Sequence, residues 1–395
     1  MRYHPESLRM SVLLTMLVAL GPISTDLYLP TLPALVRVFD TSVATTQLTL
    51  SVFMTGFALS QLVYGPLSDR FGRRPVLLGG VALYVVGSLL CLIAPSIGLL
   101  IVARLIQAVG ACCGPVLGRA VVRDVHGRER AAKVLAYMAM AMALAPAVGP
   151  MIGGALTVWS GWRACFAVLA GLGTLLLGAV WWGLPETNHL RDPDAIRPRR
   201  LLAHYLHLFG DRVFMGYVAT VAFTFSGLFS FISGSSFVLI DGMGVSQPVF
   251  GLCFGVVVVG YMVGSLIAAR ATMRLGGDRM IGLGGLVGVL GGGAGFALAW
   301  GGVAEPAAVV GPMALVMAGA GMVLPNAFAG AIGPYPGMAG LASSLLGFSQ
   351  MALAAGAGAV VGHLHDGTSV PMTAAICLST VAGWLAHRLL IRPVI

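Results

Sequence analysis

The chain has 395 residues, of which 58% are hydrophobic and 9% charged, with 55 glycines and a net charge of +9. Soluble domains average roughly 25% charged residues, so this composition excludes an ordinary soluble protein. Apolar runs long enough for the roughly 20 residues of a membrane-crossing helix recur from end to end and leave no room for a soluble catalytic domain.

Twelve spans are predicted, at 10–36, 45–66, 76–95, 97–120, 132–157, 161–183, 213–240, 247–269, 280–301, 306–331, 336–362 and 371–390. The runs are too long and too uniformly apolar for barrel strands, which predicts an all-α membrane protein with twelve transmembrane helices. The first run is too long for a signal-peptide core and reaches Pro30 and Pro33 without a cleavage site, so it reads as span one. Within it, "GPISTDLYLPTLPAL" (21–35) places the carboxylate of Asp26 well inside an apolar segment.

The basic residues lie on one side. Loops after spans two, four, six and eight hold Arg70, Arg73, Arg74, Arg123, Arg128, Arg130, Lys133, Arg191, Arg197, Arg199, Arg200, Arg212, Arg270, Arg274 and Arg279, while the opposite loops carry Arg37 and Arg163. The positive-inside rule therefore puts both termini in the cytoplasm, and nucleic acid is not an expected partner. The six cysteines fall within spans without a CxxC pair and read as buried free thiols. His363 and His365 form a lone HxH, too few ligands for a metal site, and read as an interfacial pair.

The polar segment 185–212 follows six spans and precedes six more. It divides the chain into an N-terminal six-helix half (1–184), a cytoplasmic linker and a C-terminal six-helix half (213–395). Within the linker, "LLAHYLHLF" reads as a short amphipathic helix on the membrane surface. "GPLSDRFGRRPVLLGG" after span two has a degenerate echo in "ARATMRLGGDRMIGLGG" after span eight, and "GPMIGG" (149–154) has one in "AAGAGA" (354–359). Two similar halves are how many secondary transporters are built, with substrate handled between them.

Arg104 in span four is the deep cation that matches Asp26. Counting about 1.5 Å per residue from the outer boundary puts Asp26 roughly 15 Å deep and Arg104 roughly 12 Å deep. The depths allow two readings, a permanent salt bridge or an acid that titrates as the cavity changes its opening. Gln107, one turn after Arg104, is expected to face the same cavity, with Tyr28 near Asp26. In the second half, Tyr217, Phe225 and Ser233 are candidate wall residues in a span without charge, which suits a neutral or amphiphilic substrate.

"GPLSDRFGRRP" (65–75), "RLIQAVGACCGP" (104–115) and "APAVGPMIGG" (145–154) resemble the signature loop and the fourth- and fifth-span motifs of the major facilitator superfamily. "TDLYLPTLP", followed by "QLTLSVFMTGFALSQLVYGPLSDR", is similar to the bicyclomycin and chloramphenicol resistance branch (Bcr/CflA type). The resemblance implies a proton-driven drug antiporter of the inner membrane, with Asp26 and Arg104 in proton coupling and no cofactor beyond the proton gradient. A monomer in the bilayer is expected, with no metal and no catalytic residue. The loop of Gly65, Asp69, Arg70, Gly72, Arg73 and Arg74, with Asp124 as its partner, reads either as a gating latch that holds the inner ends of the two halves together in one state and releases them in the other, or as a topology signal. Gly149, Pro150, Gly153 and Gly154 read as a packing seam or a plain kink. A transporter of a natural metabolite, such as a sugar or amino-acid derivative, and a non-transporting membrane sensor are the competing readings.

Overall fold

A computed structural model describes residues 7–125, 128–188, 191–193, 195, 205–335 and 338–391. The expectation for "LLAHYLHLF" falls partly outside these residues; within them, 205–210 are helical. Among the described residues, eleven helices are long and apolar enough to cross a membrane. They are α1 (Leu8–Val38), α2 (Val43–Phe71), α3 (Arg73–Leu92), α4 (Ile97–Val125), α6 (Arg163–Gly183), α7 (Arg212–Gly242), α8 (Gln247–Leu275), α9 (Gly277–Trp300), α10 (Pro306–Ile332), α11 (Ala339–His363) and α12 (Val370–Ile391). The remaining long helix, α5 (Arg128–Ser160), stands in the expected fifth place.

Several helices run past the predicted spans at the end rich in arginine, hereafter the basic end. Hydropathy stops at the first charges beyond the spans, as at Asp69 and Arg123, whereas the helical hydrogen-bond ladder continues through them. Glycine then ends the helix: Gly72 alone separates α2 from α3 with φ 101°, and Gly276 separates α8 from α9 with φ 82°. The two glycines occupy equivalent places about 200 residues apart, so the degenerate echo has a shared backbone shape beneath it.

The first predicted span is not one continuous helix. It is α-helical over Leu8–Asp26, passes through a 3-10 turn at Leu29–Thr31 and resumes at Leu32–Val38. Pro30 has no N–H to return to the carbonyl of Asp26, which makes the break local and sequence-determined. Its counterpart α7 also leaves α geometry near the far end, in a π-helical turn at Phe237–Gly242.

Packing repeats between the two sets of six helices. The pair α1 and α5 corresponds to α7 and α11, α2 and α4 to α8 and α10, and α3 and α6 to α9 and α12. Across the two sets, α2 packs on α11 and α5 on α8. At the end opposite the arginine-rich one, Arg37 pairs with Asp241 at 3.2 Å, and the Gln47 side chain donates to the Ser233 carbonyl at 2.9 Å. The Gln247 side chain donates to the Pro30 carbonyl at 3.3 Å. That end is therefore bolted shut across the two sets.

All six thiols are free, but only Cys91, Cys112, Cys113 and Cys165 are buried; Cys253 and Cys377 are half-buried, which corrects the uniform expectation. His365 packs its ring on Phe237, with centroids 5.8 Å apart.

Candidate functional site

Asp26 is buried, 2% exposed, on the last α-helical turn before the break in α1. Its side chain leans on α5: a Cβ built on Gly149 would lie 2.7 Å from the Asp26 Cβ. Four residues further along α5, a Cβ on Gly153 would lie 1.9 Å from the Leu27 carbonyl oxygen. Two absent side chains thus let α5 touch the break backbone to backbone. The neighbouring Gly154 faces the other set of helices, with the Gln247 carbonyl 2.8 Å from where its Cβ would be. The break of α1 is held by α5 on one side and by Gln247 of α8 on the other.

The expected pairing of Asp26 with Arg104 is corrected by this geometry. Among the described residues they form no ion pair. Arg104 donates instead to the Ser24 carbonyl at 3.1 Å and to the Gln107 side-chain oxygen at 2.6 Å. Ser24 and Asp26 are two residues apart, which on a helix is about 200° of rotation. The depths agree, but the two groups look out from opposite sides of α1.

Arg104 is fully buried, with no carboxylate partner among the described residues. Its guanidinium lies 4.2 Å from the ring centre of Phe53 and 4.8 Å from that of Tyr28, so the negative faces of two aromatic rings meet the charge. Tyr28 shares its hydroxyl with Thr49 at 2.8 Å, and Ser24 shares its own with Tyr84 at 2.7 Å. Gln107 does not line a cavity beside Asp26. It turns toward α3, where its amide donates to Ser88 at 2.8 Å. Thr49, Phe53, Tyr84 and Ser88 were not legible as members of this network, because each is an ordinary residue of an apolar helix until packing brings it to Arg104.

The second-half candidates do not join them. Tyr217 packs against Gly330 of α10, and Ser233 lies at the closed end, where its carbonyl holds Gln47. Phe225 is half-buried on α7. A cavity enclosed by α7, α9, α10 and α12, lined by Thr220, Gly284, Thr380 and His387, holds about 20 Å³, room for one water and not a drug. His387 was also missed by the sequence reading. Its Nε2 lies 2.7 Å from Asp278, tying the end of α12 to the start of α9.

At the basic end the loop residues do assemble. Arg73 reaches Asp69 at 2.5 Å and Asp124 at 3.0 Å, and donates to the Ser68 hydroxyl at 2.6 Å. Arg74 donates to the Trp181 carbonyl at 2.7 Å, while Arg70 lies over the ring of Phe71. Gly65 has open space beside it. The residue that organises the loop was not predicted. Glu186, just past α6, accepts from the backbone N–H of Arg73 at 2.9 Å and of Arg74 at 3.2 Å, and so caps the start of α3. A Cβ on Gly72 would lie 2.4 Å from its carboxylate, so this glycine serves both the turn and the cap.

Glu186→Ala is therefore expected to lower stability by about 0.5–2 kcal/mol, the range for a lost helix cap, and to slow transport. Thermal unfolding in detergent checks this, and an unchanged midpoint removes Glu186 from the role.

Residues 14–359 match the Major Facilitator Superfamily. The chain belongs to that superfamily. The transporter is 30% identical over 383 residues to a bicyclomycin resistance protein homolog of Haemophilus influenzae, covering 94% of this chain and 93% of the relative. It is also 30% identical over 348 residues to multidrug resistance protein D of Escherichia coli, covering 87% and 86%. Its fold is similar to the crystal structure of a D-xylose-proton symporter, with TM-score 0.76, 15% identity, and 97% of this chain and 96% of that one covered. The family makes the chain a multi-pass membrane transporter of small molecules and not an enzyme.

Proposed function

We propose that the transporter exports small amphiphilic drugs of the chloramphenicol or bicyclomycin class across the bacterial inner membrane in exchange for protons. Both termini and the basic end then face the cytoplasm, as the positive-inside rule requires. The observation that carries the reading is the position of Asp26: a buried carboxylate without an ionic partner among the described residues, set against a helix break that both sets of helices hold.

An ionised carboxylate deep in a span carries an insertion penalty of about 2.5–3.5 kcal/mol on the lenient scale. Protonation removes that penalty, so the proton affinity of Asp26 follows how open its surroundings are. Opening the outer end separates Gln247 from Pro30 and admits water and protons to the break. Closing it encloses the neutral acid again. Arg104 acts on this cycle through α1, by holding the Ser24 carbonyl, and not by direct pairing. Among the described residues Arg73, Asp69, Asp124 and Glu186 bond within the first set of helices and not between the halves, so the loop is no latch across them; it keeps the inner ends of α2, α3, α4 and α6 together as one unit while the two sets rock. Relatives named for bicyclomycin and multidrug resistance support the substrate class.

The test uses everted vesicles from cells lacking their own exporters, with a pH-gradient dye and chloramphenicol or bicyclomycin as probe. Drug addition is expected to release protons from the acidified lumen, and drug susceptibility of intact cells is expected to fall. Proton release on adding a sugar or amino-acid derivative instead would replace the drug reading with that of a metabolite transporter.

A further inference from the structure

We infer that Arg119 forms an anion-binding subsite toward the inner end of α4, so that the compounds handled include amphiphiles with a carboxylate or similar anionic group. The inference rests on the export reading only for the direction in which such a compound moves.

Arg119 lies six residues before the inner end of α4. On this helix Gly110 is pressed against Tyr84 of α3, with neighbouring contacts at Gln107 and Cys113. Arg119 is nine residues beyond Gly110, which is half a revolution round the helix. It therefore points away from α3. The residue is solvent-exposed although its guanidinium is surrounded by protein, the combination expected of a group lining a recess.

An arginine near a helix end ordinarily snorkels toward the nearer water surface. Arg119 does the reverse. Side chains tilt toward a helix N-terminus, which for α4 is the outer end, and the Arg119 Nε donates to the Pro115 carbonyl at 2.8 Å. The guanidinium is pinned back toward the membrane interior. Its two terminal nitrogens have no partner among the described residues.

Nor, among the described residues, does a nearby acid neutralise it. Asp124 is five residues on, about 140° round the helix, and is held by Arg73 and Thr187. The neighbouring charge on the same side is Arg123, another cation. An intramembrane charge of this kind marks a substrate or ion path, and an arginine fork whose terminal N–H groups are unpaired among the described residues fits a carboxylate in two-point contact.

The experiment measures binding of radiolabelled 1-naphthylacetate and of its neutral isostere 1-naphthylacetamide to the full chain in lipid nanodiscs. The wild type is expected to bind the anion about tenfold more tightly, the scale of one charge-assisted contact. Arg119→Gln is expected to erase that preference and leave the acetamide unchanged, with Arg119→Lys retaining part of it. Equal affinities in the wild type, absence of saturable binding, or equal loss of both ligands in Arg119→Gln would overturn the inference. The last outcome assigns Arg119 to packing or to an ionic contact in another conformation. Anion preference in a chain that exports no drug leaves the subsite standing and defeats the drug reading alone.

Discussion

Asp26→Asn is expected to abolish concentrative, proton-driven export while leaving drug binding in place. Asparagine keeps the volume of the side chain against Gly149 and removes its ability to ionise, so the packing of α1 on α5 persists. With no proton to lose on the cytoplasmic side, the cycle has nothing to couple to the gradient. Export in everted vesicles should fall about tenfold or more, a loss of driving force and not of affinity, while equilibrium binding of the drug to purified protein stays at the wild-type value. Full export by the asparagine variant against an opposing drug gradient would remove Asp26 from the coupling role. Loss of binding and export together would make it a substrate contact instead.

Gly153→Ala carries the second large expected effect. The added methyl would meet the Leu27 carbonyl oxygen at 1.9 Å, and that atom is backbone, which cannot turn aside as a flexible side chain can. The break in α1 and the helix α5 must separate. Overpacking of this kind costs about 1–3 kcal/mol, and here it also displaces the turn that carries Asp26. Lower thermal stability and impaired export are both expected. Gly171→Ala in α6, with open space beside it, serves as the control and should be silent in both measurements. If Gly153→Ala matches the control, the two helices do not need their close approach. Gly154→Ala separates the two roles of the seam, because its methyl would meet Gln247 of the other set of helices and not α1.

Both predictions turn on contacts that a linear reading approached but did not reach. Asp26 stands out in the sequence because a carboxylate within an apolar run is costly wherever the chain goes next. Arg104 stands out for the same reason, and the two lie at similar depth because depth along a helix accumulates residue by residue. Azimuth is different. Whether Asp26 faces Arg104 depends on how α1 is rotated between α4 and α5, and that rotation is fixed by Gly149 and Gly153 admitting α5 on one side and by the Ser24 carbonyl meeting Arg104 on the other. The glycines were legible as a seam, but not what they pack against.

The loop at the basic end divides in the same way. Asp69, Arg73 and Asp124 could be matched by charge and by nearness to the helix ends, and they do meet. Glu186 lies 113 residues from Arg73, in a segment that reads as solvated linker, so only the return of α6 beside α3 makes it a helix cap. Arg119 was passed over because its charge merged with the arginines that follow it, and only the hydrogen bond to Pro115 shows that it turns inward.

The sequence by itself determined the solvent, the helical class, the near-positions of the crossings and the placement of basic loops, since each follows from local composition. The tertiary structure decided which buried charges share a space, what closes the end opposite the basic one, and which carbonyls and aromatic rings meet Arg104. Those are matters of helix rotation and of contact between segments far apart in the chain, and no local property of the residues encodes them.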